Sequence, residues 1–185
     1  PELLYCILNF YPFMKSKALV ITGGYLDTNS AKTAHGLIRG TDRFDIVGIV
    51  DEKHAGKDAG EVLDGKNRSI PVYASISEAT KKVKADYCVV GVATKGGVIP
   101  DSLRTLLREA LENNMGIVNG LHDHVSEHED LAQLAKSKGL EIIDVRKPKK
   151  FNDLNFWNGK IKEVKCPKIA VLGTDCALGK RTTTR

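Results

Sequence analysis

From Lys17 onward, short runs of apolar residues alternate with stretches whose apolar positions recur every three to four residues. The runs Ala18–Thr22, Asp45–Asp51, Pro71–Tyr73, Asp86–Ala93, Met115–Asn119 and Glu141–Val145 have the length and β-branched content of strands. Between them, Ala31–Arg39, a stretch starting at Ser77, Pro100–Asn114 and Glu129–Lys138 have helical periodicity. Within Pro100–Asn114, Leu103, Leu106, Leu107, Ala110 and Leu111 share one face, which makes that stripe core. The Gly- and charge-rich segment His54–Gly65 is expected to be a connection. Alternating strands and helices predict an α/β fold with a Rossmann-like, doubly wound parallel sheet over residues 14–146. The nearly unbroken apolar character of Ala18–Thr22, Asp45–Asp51 and Asp86–Ala93 demands burial on both faces, so these three are expected side by side at the centre.

The order of strand, Gly23-Gly24 turn, helix, strand and Asp51 is that of a dinucleotide fold, where an acid at the end of the second strand holds a ribose hydroxyl. The glycine fingerprint is absent. After Gly24 the chain runs Tyr25-Leu26-Asp27-Thr28-Asn29-Ser30 and meets no glycine until Gly36, so nothing provides the close backbone approach that a pyrophosphate needs. The expectation is a Rossmann-like sheet without NAD.

A second pattern lies near the end of the chain. Ile169–Leu172 reads as a buried strand, followed by Gly173, Thr174, Asp175, Cys176, Ala177, Leu178, Gly179 and Lys180, which together read as a phosphate-binding loop. Gly173 and Gly179 let backbone N–H groups turn inward, and Lys180 brings a cation to a phosphate oxygen. Five residues separate the two glycines where four are usual. Arg181 stands where a Ser or Thr normally holds magnesium, so either Thr182 substitutes or the site works without that ligand. Residues 167–185 are therefore expected to begin a second, P-loop α/β domain, and the chain to be the front part of a longer protein.

Composition adds bounds. With 42% hydrophobic and 28% charged residues among 185, the chain is that of a globular protein with one domain and the beginning of another. The net charge of +5 comes from scattered Lys and Arg without interleaved aromatics, which predicts small anionic ligands and no nucleic acid. Cys6, Cys88, Cys166 and Cys176 form no C-x-x-C pair, so neither a disulfide framework nor a zinc knuckle is expected, and a cytoplasmic setting follows. Residues 1–13 are apolar but lack a basic leader and are too short to span a bilayer; they read as a non-native or disordered leader ahead of Met14. No membrane partner is expected.

His122, His124 and His128, interleaved with Asp123, Glu127 and Glu129, invite a metal reading, but no pair falls at metal spacing inside a helix, and a polar loop is the plainer expectation. His122, just past a strand end on the ligand side of the sheet, is a candidate acid or base. Residues 147–166, opening with Lys147-Pro148-Lys149-Lys150, read as a connector with one helical turn within Asn152–Asn158.

Gly23-Gly24 with Ala31–Leu37, Asn119–His122, Asp144–Arg146 and Gly173–Thr183 together resemble the DUF1611 family, over Met14 to the chain end. That resemblance implies a Rossmann-like N-terminal domain followed by a P-loop domain, and Arg181 after Lys180 belongs to the family's own pattern. It implies ligand contacts at Gly23, Gly24, Lys32, Thr33 and His35, and cofactor contacts at Gly173, Thr174, Asp175, Gly179, Lys180, Arg181 and Thr182. Some members resemble D-amino-acid N-acetyltransferases that act on D-glutamate with acetyl-CoA. Two alternatives stand beside this: an ATP- or GTP-dependent ligase or kinase similar to dethiobiotin synthetase, with magnesium, and a non-catalytic ligand-binding or assembly domain. A small-molecule substrate is expected, and a homo-oligomer is compatible with each reading.

Overall fold

The structure is a computed structural model, and it describes residues 15–149, 151–154, 156–167 and 169–172. The chain divides into two units, residues 1–148 and 149–185.

The first unit is built on a six-stranded parallel sheet. Its strands are β1 (Ser16–Ile21), β2 (Phe44–Val50), β3 (Val72–Tyr73), β4 (Tyr87–Val90), β5 (Gly116–Asn119) and β6 (Ile142–Asp144), in the spatial order β3-β2-β1-β4-β5-β6. All five pairings are parallel. The helices are α1 (Lys32–Arg39), α2 (Ala59–Asp64), α3 (Ile76–Lys82), α4 (Asp101–Glu112) and α5 (Glu129–Ser137). β1 pairs with both β2 and β4, the arrangement expected from their apolar runs. Ala18, Leu19, Val20 and Ile21 are all fully buried, as a parallel strand covered on both faces must be. On α4, Leu103, Leu107, Ala110 and Leu111 are buried and Leu106 is half-buried.

The chain winds outward from β1 through β2 to β3, then crosses back to place β4 on the other side of β1. That reversal opens a crevice at the carboxyl ends of β1 and β4, where open α/β sheets hold ligands. Gly91, just after β4, permits a tight contact behind it. A Cβ there would lie 2.5 Å from Val20 Cγ1 and 2.9 Å from Ala34 Cβ, so α1 can seat against the sheet only because the side chain is missing.

One expectation for this unit is corrected. His54–Gly65 is not a bare connection: it contains α2. Asp58 caps that helix by accepting from the backbone N–H groups of Gly60 and Glu61, and Gly65 ends it in a left-handed conformation (φ 77°). The same carboxylate also accepts from the N–H groups of Arg68 and Ile70, so one side chain closes both the helix and the loop into β3.

In the second unit the described residues form short 3-10 turns at Phe151–Asp153 and Lys160–Lys162. The helical turn expected within Asn152–Asn158 thus lies earlier, and a second one follows. The Lys162 ammonium sits over the Trp157 ring, 5.4 Å from its centroid. Ile169–Leu172, expected as a buried strand, is not one: Ile169 is 88% exposed and Leu172 86%, and no described residue pairs with the segment. A strand is held by its ladder partners, and an apolar run without them stays uncovered. The phosphate-loop residues from Gly173 onward, and the leader 1–13, lie outside the described residues. No helix among the described residues is long and apolar enough to cross a membrane.

Candidate functional site

A cavity of about 650 Å³ occupies the crevice at the strand ends. Thr22 and Gly23 bring to it the end of β1, Val50 and Glu52 the end of β2, Ala74 the end of β3, and the stretch from Val92 to Lys95 the end of β4. The remaining wall comes from the loop before α4 and its first turns, through Val98, Pro100, Leu103 and Leu106, with Ser102 as its polar member. Tyr25 and Val98 stand in its lining with more than half of their surface in solvent, at 56% and 58%. A cavity of this size, mostly apolar with a few convergent polar groups, has the character of a small-molecule site.

The floor is fixed by Asp51, which is fully buried. Its Oδ2 accepts from the Thr22 hydroxyl at 2.6 Å and the Leu26 N–H at 3.0 Å. Its Oδ1 accepts from the His54 N–H at 3.2 Å and lies 2.8 Å from His54 Nδ1. Burial works against the charged form, but the hydrogen bonds from Thr22, His54 and Leu26 outweigh it and hold the carboxyl below its ordinary range. As an ionised carboxylate is an acceptor only, His54 Nδ1 carries the proton of that bond. Asp51 therefore does not hold a ribose hydroxyl as the acid of a dinucleotide fold does. The acid stands at the right sequence position, but all its acceptor capacity is turned inward to lock the β1 loop onto β2. Glu52, the next residue, is the acid that faces the cavity, and it is exposed.

The start of α1 is likewise committed. The Ala34 N–H donates to the Gly91 carbonyl at 2.9 Å, and the Ala93 N–H donates to the Ser30 carbonyl at 2.7 Å. In a dinucleotide site the first turn of this helix would aim such groups at a pyrophosphate; here β4 uses one of them. Of the residues expected to contact ligand, only Gly23 lines the cavity. Gly23 and Gly24 both have positive φ (56° and 86°), which turns the chain sharply after Thr22, and open space lies where each Cβ would be. Lys32 and Thr33 are exposed on α1 outside the lining. His35 sits 2.7 Å from the Leu26 carbonyl through Nε2 and ties α1 to the loop.

His122 is exposed beyond β5, outside the cavity lining, with Nε2 3.4 Å from Arg146 Nη1. Its ring packs on Gly97, whose Cβ, were there one, would lie 2.8 Å from His122 Cδ2. It thus backs the Lys95–Gly97 turn whose first residue lines the cavity. Its neighbours are structural. His128 Nε2 lies 2.8 Å from Asp123 Oδ1, and Asp123 Oδ2 accepts from the Ile99 N–H at 2.9 Å, fixing the entry to α4. His124 Nδ1 lies 3.3 Å from Glu127. Among the described residues no group of His, Cys, Asp and Glu is arranged to hold a metal ion.

Glu52, Tyr25 and Ser30 are lining residues that sequence reasoning had not singled out. For Lys95 the signal was present, because Thr94-Lys95-Gly96-Gly97 closes the most apolar strand run. For Glu52 it was hidden by the more obvious acid beside it.

Residues 52–148 match the family described as DUF1611_N, a Rossmann-like domain of unknown function. The chain belongs to the DUF1611 family. Residues 155–185 match the companion DUF1611 P-loop domain, and the motif around Lys180 lies within that match. A crystal structure of a DUF1611 family protein from Anabaena variabilis matches 92% of this chain and 48% of its own, with a TM-score of 0.79 and 31% identity. Two curated relatives are named D-glutamate N-acetyltransferase. The one from Pseudoalteromonas is 36% identical over 109 residues, covering 59% of this chain and 31% of its own; the one from Tritonibacter scottomollicae is 33% identical over 121 residues, covering 65% and 35%. The DUF1611 segment in hand thus aligns with about a third of the length of either relative.

Proposed function

We propose that this protein is a P-loop-containing N-acetyltransferase of a D-amino acid, with D-glutamate as acceptor and acetyl-CoA as donor. The observation that carries this is the 36% identity to a D-glutamate N-acetyltransferase over 109 residues. The crevice at the ends of β1 and β4 supports it by offering a small-molecule cavity on the Rossmann-like domain. In the transfer, the neutral amine of the acceptor attacks the thioester carbonyl. A C–N bond forms, the C–S bond breaks, coenzyme A leaves as the thiolate, and the ammonium proton goes to a base or to water. Acetyl-CoA is the cofactor in this proposal and magnesium is compatible with its phosphates. NAD has no place in it, with Asp51 spent inside the fold and one N–H of the α1 start bonded to Gly91. The protein acts on a small molecule in the cytoplasm, without nucleic acid or membrane.

The test is release of free thiol from acetyl-CoA by the full-length protein, with D-glutamate and L-glutamate as acceptors and the product identified by mass spectrometry. Release dependent on D-glutamate is expected. Absence of N-acetyl product, or ATP hydrolysis coupled to acceptor consumption instead, would refute it.

A further inference from the structure

The cavity's shape and charges say which part of a ligand it takes. Its volume, about 650 Å³, is that of a site for a drug-sized molecule, and an amino acid would leave most of it to water. Among the described residues its lining has one cation, Lys95, and one anion, Glu52, set at the ends of β4 and β2 on opposite sides of β1. Neither makes a hydrogen bond or ion pair with another described residue, so both are available to a ligand. A dicarboxylate acceptor such as glutamate fits this pairing poorly, since one of its carboxylates would lack a cation and could meet Glu52.

A nucleoside phosphate matches it. The exposed Tyr25 ring and the Leu103–Leu106 wall give a planar base an apolar slot with a stacking face. An ionised carboxylate accepts only, and sugar hydroxyls are the donors such a slot would present to it. Lys95 supplies the point charge for a single phosphate.

We propose that this cavity binds the nucleoside monophosphate portion of a ligand, with Glu52 on the sugar hydroxyls, Lys95 on the phosphate and Tyr25 against the base. This deepens the reading of the crevice as a small-molecule site. The moiety has two sources, a free nucleotide or the nucleotide end of coenzyme A, whose ribose keeps only its 2′-hydroxyl for Glu52 because its 3′-oxygen is phosphorylated.

Calorimetric titration of the full-length protein with AMP, coenzyme A and D-glutamate tests it. AMP should bind one to one. Lys95→Ala and Glu52→Gln should each weaken AMP by about tenfold or more, the scale of one charge-assisted contact, with melting temperature unchanged because both residues are exposed. Lys180→Ala should leave AMP affinity as it is. Competition between coenzyme A and AMP, with coenzyme A also weakened by Lys95→Ala, assigns the coenzyme as the source; AMP binding without competition assigns a free nucleotide. AMP that does not bind, that is insensitive to Lys95 and Glu52, or that is displaced by D-glutamate overturns the proposal. Intact acetyl transfer alongside that result leaves the acetyltransferase standing, and AMP binding without acetyl transfer does the reverse.

Discussion

His54 reaches the same oxygen of Asp51 twice, with its backbone N–H at 3.2 Å and its ring Nδ1 at 2.8 Å, while the other oxygen binds Thr22 and Leu26. One buried carboxylate thereby joins the end of β1, the loop after it and the turn after β2. The geometry of the cavity floor depends on that node. Asp51→Asn replaces an acceptor by a donor facing N–H and O–H groups, and a buried polar group left unpaired costs on the order of 1–3 kcal/mol. For a domain of this size that is a fall in Tm of roughly 2–12 °C. Thermal unfolding by circular dichroism measures it; an unchanged Tm would remove Asp51 from this role.

Three carboxyls around the strand ends contribute to the acid limb of stability. Asp51, Asp123 and Asp144 are all partly desolvated, which alone would raise them, yet hydrogen bonds hold each below its ordinary value: Thr22, His54 and Leu26 for the first, Ile99 and His128 for the second, Asn119, Ser126 and Val125 for the third. A carboxyl whose pKa is lower folded than unfolded binds fewer protons in the native state. Its stabilisation is full above the unfolded value, about 3.9 for Asp, and is lost as pH falls through the lower folded value. Their contribution to Tm should be flat from pH 7 to about 5 and decline below about 4. The decline should be shallower in Asp51→Asn; parallel curves would contradict the assignment.

At Gly91, α1 and the sheet approach closely. Gly91→Ala forces a methyl within 2.5 Å of Val20 and 3.0 Å of the Ile21 carbonyl, both residues being fully buried in β1. Overpacking of that kind costs typically about 1–3 kcal/mol. Chemical denaturation should show the loss in midpoint with no change in slope.

Cys88 is fully buried in β4, and burial pushes its thiol up to about 12, so it carries almost no thiolate at neutral pH. Cys166 is exposed. Brief iodoacetamide treatment of the native protein followed by peptide mapping should label Cys166 and spare Cys88 until denaturant is added. Labelling of Cys88 at the same rate would place it outside the core.

The alternation of apolar runs and helical stripes was enough to foresee the sheet, its class and its central trio, because those depend on burial alone. The P-loop start was legible in the run from Ile169 to Lys180, and the family match agrees with it. Helix α2 escaped because it is only six residues long, with Gly60 inside it and Gly65 at its end, and its support comes from Asp58 reaching ahead to Arg68 and Ile70. Asp51 was legible as an acid at a strand end but not in its direction, which Thr22 and His54 set through contacts distant or off-pattern in sequence. Glu52 then became the cavity's acid by default.

The P-loop lysine has its own signature in the full-length protein. Lys180→Ala should weaken ATP or acetyl-CoA roughly ten- to a hundredfold, the worth of a charge-assisted phosphate contact. Titrations of wild type and variant check it, and equal affinities for both ligands would remove the lysine from phosphate binding.

The participation of the β1–β4 cavity in acetyl transfer is tested most directly by filling it. Ala93 lines the cavity with its side chain exposed, and only its backbone N–H is bonded, to Ser30. In Ala93→Trp the indole should occupy the ligand's space without entering the core. With the full-length protein, acetyl-CoA and D-glutamate, kcat/KM is predicted to fall by about tenfold or more, a loss of ~1.4 kcal/mol or more of transition-state stabilisation, with Tm within a few degrees of wild type. A filled cavity with undiminished kcat/KM would contradict it.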